Sequence, residues 1–287
     1  MTLEAQHKTL EISENTLHYW QHGSSNRPTI ILVHGFTGDH RGFYKIVPYL
    51  TNYFTVITLD LPGFGLSKIG KQKMSINFHA ETVAKLIQKL DLDQPPIVVG
   101  HSYGSLVVSK LHAIKPDIND EKSILISPIA TQVTFFDSRY IGKLISQMYF
   151  FTGAHLGPVG MSLLKSRLVT KVVTRQMLLT NDKELKKEIL DQHIENTLYI
   201  QAPKQNYKLF REINRTGIAE TAPSIHKRIL IINGDKDGQC PISQQKKAVQ
   251  AFKRAQLVEL SGAGHLSHYE EPESIADSIL SFLNKKQ

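Results

Sequence analysis

The chain has 287 residues, 41% of them hydrophobic, enough to bury a large core, which excludes a disordered protein. Its one cysteine, Cys240, excludes intramolecular disulfides and multi-cysteine metal sites. A formal charge of +8 raises attraction to nucleic acid, anionic lipid or acidic substrates, but the lysines and arginines are interleaved with acids and never run longer than a pair. The charge is therefore read first as solubility; no nucleic acid is expected as a partner, and peripheral contact with a membrane stays open.

Residues 1–13 carry Glu4, His7, Lys8 and Glu11 and no apolar core, so they read as neither a secretory signal nor an anchor, and the expected compartment is the cytoplasm. Residues 7–12 and 16–20 alternate apolar and polar side chains around Ser13-Glu14-Asn15, a turn signal, and predict an opening antiparallel hairpin. Pro28-Thr29-Ile30-Ile31-Leu32-Val33 is nearly all apolar and suits a strand buried on both faces. It runs into the glycine-rich loop His34-Gly35-Phe36-Thr37-Gly38-Asp39. A short helix is expected over 41–50, a second buried strand over 54–59, and then the turn Asp60-Leu61-Pro62-Gly63-Phe64-Gly65-Leu66-Ser67. Apolar positions at helical spacing predict a helix over 78–90.

Strands are expected again at 97–99, before Gly100-His101-Ser102-Tyr103-Gly104, and at 123–127. Strand and helix alternate up to this point, as in a mostly parallel, doubly wound α/β sheet. Between 130 and 224 no buried strand is evident, only helix-like stretches such as 142–151, 163–179 and 182–200. The rhythm resumes with a strand at 228–233, a helix at 242–252, a strand at 256–260 and a helix at 272–283. The predicted organisation is one α/β domain, residues 1–129 and 225–287, interrupted by a helical insertion, 130–224, that lies over one edge of the sheet.

Gly-x-Ser-x-Gly between a buried strand and an apolar helix points to a nucleophile turn. Ser102 is held there in a strained backbone conformation that only small neighbours, Gly100 and Gly104, tolerate. A serine hydroxyl needs a base, and the base needs a group that fixes its tautomer. His265, in Ser261-Gly262-Ala263-Gly264-His265 just past the last strand, is the favoured base; His268 is the runner-up, read as a surface residue. Gly234-Asp235-Lys236-Asp237-Gly238 offers two carboxylates. Asp237 is placed to reach His265, while Asp235 sits nearer the strand and is expected to pair locally. The backbone N–H groups of Tyr103 and Phe36 are the candidate oxyanion donors. His34 reads as a residue that holds its own turn, His101 as packing beside the serine, and Cys240 as a small neutral residue near the acid loop. No His/Asp/Glu cluster has metal-ligand spacing along the chain, and neither a P-loop nor a dinucleotide fingerprint is present.

The order Ser102, Asp237, His265, with the His34-Gly35 loop, the Asp60–Gly65 turn and Gly262-Ala263-Gly264-His265 followed by Glu271-Pro272, resembles the capped members of the α/β-hydrolase superfamily. The resemblance covers nearly the whole chain outside the insertion. It implies that fold, a Ser-His-Asp triad with Asp237 matching the acid of the family's Gly-x-x-Asp loop, a helical cap and no cofactor. Relatives that open epoxides or displace halide carry aspartate where this chain has Ser102, which disfavours those reactions. Carbon–carbon hydrolases and haloperoxidase-like relatives often carry a second glycine where this chain has Ser105, which lowers those readings too.

The reaction these residues favour is hydrolysis of a carboxylic ester, thioester or lactone. The alternatives are a non-catalytic receptor or scaffold of the same fold, and a carbon–carbon bond hydrolase. Between Lys143 and Lys165 no residue is formally charged, and the run is about as long as a membrane span. Its polar residues and Gly153, Gly157, Pro158 and Gly160 argue against a spanning helix. Two expectations stand for its side chains: simple packing of the insertion onto the core, or a roof over an apolar acyl pocket, with Phe150 and Phe151 as substrate-binding residues and Gly157-Pro158 as its gate.

Overall fold

The computed structural model describes residues 5–12, 14–133 and 139–284. Ser13 of the predicted hairpin turn, residues 1–4 of the segment read for a leader, and residues 134–138 just inside the predicted start of the insertion lie outside that description. Strands β1 (Gln6–Ile12) and β2 (Asn15–His22) form the expected antiparallel hairpin, with Glu14 at a positive φ of 64° in its turn. Then come β3 (Thr29–Val33), a 3-10 turn at His40–Phe43, α1 (Val47–Leu50), β4 (Thr55–Leu59), α2 (Ile76–Lys89), β5 (Ile97–His101), α3 (Tyr103–Ile114) and β6 (Lys122–Ile126). The predicted helix over 41–50 is thus two short pieces. Pro48, in the first turn of α1, has no N–H with which to continue a helix from the residues before it.

Between β6 and β7 the described residues form helices only: α4 (Tyr140–His155), α5 (Gly157–Leu164), α6 (Arg167–Arg175), α7 (Lys183–Leu198), α8 (Pro203–Ile213) and α9 (Ile218–Thr221), with a final 3-10 turn at Ala222–Ser224. The core resumes with β7 (Arg228–Gly234), α10 (Ile242–Ala251), β8 (Ala255–Leu260), α11 (Ser267–Glu270) and α12 (Pro272–Asn284). The stretch read as one helix over 163–179 is cut at Lys165-Ser166, where the Ser166 hydroxyl caps α6 by accepting from the Val169 N–H. The uncharged run divides at Leu156, before Gly157 at a φ of 54°. Among the described residues no helix is long and apolar enough to cross a membrane.

The sheet has eight strands in the order β1-β2-β4-β3-β5-β6-β7-β8; β2 meets β1 and β4 antiparallel and all other pairs are parallel. Strands β3, β4 and β5 are buried at every position, as continuous apolar runs require when helices cover both faces. One core layer joins α2 and α3 to the sheet through Val83, Leu86, Val107 and Leu111; the other joins α1 and α12 through Leu50, Ile275 and Ile279. At the antiparallel edge, Trp20 of β2 stacks on the His40 ring. His40 in turn gives both its backbone N–H and its Nδ1–H to Asp60 at 2.8 Å. Parallel strands bring all their following loops to one edge, where a loop-borne site can assemble.

Candidate active site

The turn between β5 and α3 is as tight as its glycines imply. Ser102 has φ 50° and ψ −114°, outside the regions a side-chain-bearing residue normally occupies. A Cβ on Gly100 would stand 2.4 Å from the Gly104 carbonyl oxygen, and one on Gly104 would stand 2.1 Å from the Val33 carbonyl oxygen. The turn is closed by Ser102 N–H donating to Ile126 O at 2.9 Å and Ser105 N–H donating to Ser102 O at 3.0 Å. The buried Ser105 hydroxyl also donates to that same carbonyl and adds a bond to the turn.

Three sequence-predicted residues from three loops meet in one hydrogen-bonded line. His265 Nε2 lies 3.1 Å from Ser102 Oγ, and His265 Nδ1 lies 2.9 Å from Asp237 Oδ2. The other Asp237 oxygen accepts the N–H groups of Gln239 and Cys240 at 2.9 and 2.8 Å. Burial alone would raise the Asp237 pKa, but the facing imidazole and these donors hold it below the ordinary carboxylate value. Burial likewise pulls His265 down, and the Asp237 charge outweighs it, holding His265 well above its ordinary value. Asp237 is therefore the ionised partner, and Nδ1 carries the proton it accepts. Asp235 instead accepts the Gly262 N–H at 2.8 Å, the local pairing expected of it.

Cys240 is buried and its thiol is pushed up, first by burial and then by the Asp237 charge. The Gly35 loop lies against the serine, since a Cβ there would sit 3.5 Å from Ser102 Cβ. Neither the Phe36 nor the Tyr103 N–H has a backbone acceptor among the described residues. His34 holds its turn as anticipated: Nδ1–H donates to Gly35 O at 2.8 Å, and Nε2 accepts from Leu61 N–H at 3.0 Å.

His268 corrects an expectation. It is buried, not on the surface, with its ring centroid 3.9 Å from that of His101. The short helix α11 turns it inward, against His101 and Phe43. His101 Nε2–H donates to the His265 carbonyl at 3.2 Å, so it fixes the backbone of the base. His79 was not anticipated. Its Nε2–H donates to Pro62 O at 3.0 Å, leaving Nδ1 to accept from the Tyr103 hydroxyl and so anchor the residue after Ser102. The one sequence signal was a histidine on the apolar face of a helix.

The structure separates Phe150 from Phe151. Phe150 is buried, edge-on to Phe36 at 5.3 Å and against Phe210 at 4.8 Å, so it joins an aromatic wall that begins one residue from Gly35. Phe151 is 46% exposed and stacks on His155, away from that wall. Phe210, on α8, is a wall residue that sequence reading missed. The helices between β6 and β7 are tied to the rest of the chain around the same edge. Arg41 bridges Asp39 to Glu195 and Asn196 of α7, and Glu270 accepts the N–H groups of both Leu179 and Thr180 at 2.7 Å. A separate cavity of about 530 Å³, lined by Gly153, Pro158, Met161 and Pro203 among others, contains none of Ser102, His265 or Asp237.

Among the described residues two groups bring metal-ligand atom types within 4.8 Å of one another: Asp237, Cys240 and His265, and Asp39, His40 and Asp60. Linear spacing did not reveal the first because its members come from two loops, nor the second because Asp60 follows a different strand. In both, the carboxylates already accept hydrogen bonds from neighbouring N–H groups, and both are ordered as hydrogen-bonded clusters.

The chain matches the alpha/beta hydrolase family over residues 30–278. It belongs to that family. This α/β hydrolase is 26% identical over 279 residues to the uncharacterized hydrolase YugF of Bacillus subtilis strain 168, covering 93% of this chain and 94% of that one. In fold it is similar to a thermophilic esterase from Thermogutta terrifontis, with a TM-score of 0.78 at 20% identity, covering 97% of this chain and 98% of the esterase. It is similar to the same degree, TM-score 0.78 at 21% identity, to the enol-lactonase from Burkholderia xenovorans LB400, covering 97% and 100%.

Proposed function

We propose that this hydrolase is a serine esterase that cleaves a carboxylic ester, thioester or lactone bearing an apolar acyl group, through an acyl-enzyme. The observation that carries this is the line from Ser102 Oγ through His265 to Asp237, set on a strained turn at the edge where all the parallel strands end. Ser102 Oγ attacks the carbonyl carbon as His265 Nε2 takes its proton. The oxyanion forms beside the Phe36 and Tyr103 N–H groups, each such donor being worth roughly 10²–10³ in rate. His265 gives its proton to the leaving alcohol, and water then repeats the sequence on the acyl-enzyme. Asp237 holds the imidazole tautomer and balances the imidazolium.

In this reading, residues 130–224 cap the site, and Phe150 with Phe36 and Phe210 receives the acyl chain. The likeness to an esterase and an enol-lactonase supports an oxygen ester as substrate. No resident metal or cofactor enters the mechanism. The single, buried Cys240 suits a reducing compartment, so the reading places the reaction in the cytoplasm. The test is labelling by a fluorophosphonate together with turnover of short nitrophenyl esters. Wild type should label and turn over, and Ser102→Ala should do neither while keeping its circular dichroism. A folded wild type that neither labels nor turns over any ester would make the chain a receptor of the same fold.

A further inference from the structure

The helix α6 is built inside out, and α4 and α5 leave large apolar side chains on their outer faces. On α6 the buried positions are Thr170 and Thr174, and the Thr174 hydroxyl pairs with His193 Nδ1 at 3.0 Å, while Leu168 and Val172 on the same helix face solvent, Leu168 at 73% exposure. On α4 the residues Ile141, Ile145 and Met148 follow one another at helical spacing on an exposed face, Ile141 at 71% and Met148 at 62%. Val159 continues the pattern on α5. Single exposed apolar residues are ordinary; a run of them over three consecutive helices marks a binding surface.

Within α4 to α6 themselves the charge has one sign. From Arg139 to Asn181 the sequence contains six lysines and arginines and no aspartate or glutamate. Lys165, Arg167, Lys171 and Arg175 take part in no ion pair among the described residues. Arg167, Lys171 and Arg175 recur at four-residue spacing, one position from the exposed Leu168 and Val172, so cations and apolar side chains run along α6 side by side.

We propose that the outer surface of α4 to α6 docks this protein on an anionic lipid bilayer, the apolar side chains entering the acyl boundary and the four cations lying among the headgroups. A second copy of this chain is a poorer occupant, since a two-fold contact would set the same unpaired cations against one another. The proposal does not rest on the esterase reading. It adds that the helix carrying Phe150 on its inner side meets lipid on its outer side.

Sedimentation of the full chain with phosphatidylcholine vesicles, with and without about one-third phosphatidylglycerol, tests it. Wild type should bind the anionic vesicles and lose binding as salt rises. Ile145→Asp with Met148→Asp should weaken binding by about tenfold or more. Replacing Lys165, Arg167, Lys171 and Arg175 by Gln should cost about fivefold per cation and flatten the salt dependence. Should the aspartate variant fail to fold, the glutamine variants and Met148→Ser decide. No binding by wild type, or equal binding by correctly folded variants, overturns the proposal. So does a dimer in solution that Met148→Asp abolishes while vesicle binding stays absent, which would give the surface to a second copy.

Discussion

The turn at Ser102 and the helices α4 to α6 obey opposite rules. At the turn there is no spare room: a single added Cβ at Gly104 meets a carbonyl oxygen at 2.1 Å. On α4 a Cβ added at Gly142 meets nothing within 4 Å, and large apolar side chains stand in solvent. One region is constrained by what surrounds it inside the protein. The other is constrained by something outside it.

The largest expected effect lies at the acid. Asp237→Asn should lower kcat/KM by about 10⁴-fold, because the amide favours the wrong imidazole tautomer, whereas Asp235→Asn should change it only a few-fold. Steady-state kinetics on a nitrophenyl ester separate them, and equal losses would mean the carboxylate roles are shared. The pH profile sharpens this. His265 must be neutral to act as base and Asp237 raises its pKa, so activity should climb with pH through a midpoint displaced to the alkaline side. Residual activity of Asp237→Asn should climb at lower pH, where burial alone governs the imidazole.

Next comes packing. Gly104→Ala should cost about 3 kcal/mol or more in denaturant unfolding, as an overpacked backbone contact does. Gly142→Ala should stabilise by about 0.5–1 kcal/mol, the helix preference of alanine over glycine. If both were neutral, the contrast between the regions would collapse.

Acid should destabilise the core through its neutral histidines. Burial drives His79, His101 and His112 each down to about 3, while in the unfolded chain they take up protons near 6.5. Their contribution is therefore intact above 6.5 and is lost as pH falls from there toward about 3, by about 1.4 kcal/mol per pH unit for each histidine. His265, raised when folded, acts in the opposite sense: its stabilisation is complete below 6.5 and fades as pH rises through its folded value. Urea titrations at a series of pH values should therefore show stability falling below about 6.5 through these three histidines and falling above it through His265. Stability that rises on acidification from 6.5 would contradict this balance.

The smallest effect is expected in the acyl wall. kcat/KM should grow with acyl length by up to about fourfold per methylene until the pocket fills. Phe150→Ser should flatten that slope and spare acetate, while Phe151→Ser should leave the slope unchanged. An effect of Phe151 equal to that of Phe150 would mean the wall extends across the helix.

That last pair shows where sequence stops being legible. The nucleophile turn, the two loops that answer it and the strand alternation were readable because each depends on local chemistry: glycine beside a strained serine, a carboxylate or imidazole just past a buried strand. Phe150 and Phe151 are neighbours on a helix about 100° apart, and which one faces inward is decided by where Phe36 and Phe210 sit, far along the chain. The inverted α6 was hidden for the same reason: its apolar pairs would ordinarily predict the buried face, and His193 across the interface claims Thr174 instead. His268 likewise looked superficial because only the fold brings His101 against it.

The chain's one tryptophan, Trp20, stacks on His40 at the antiparallel edge of the sheet, and His40 is held by Asp60. Intrinsic indole emission is therefore a local optical gauge of that corner. Its yield follows the contact with the stacked imidazole and the integrity of the Asp60 turn. The insertion contains no indole at all, so an emission-based melting curve would register the loss of the β-sheet corner and carry no direct signal from α4 to α6.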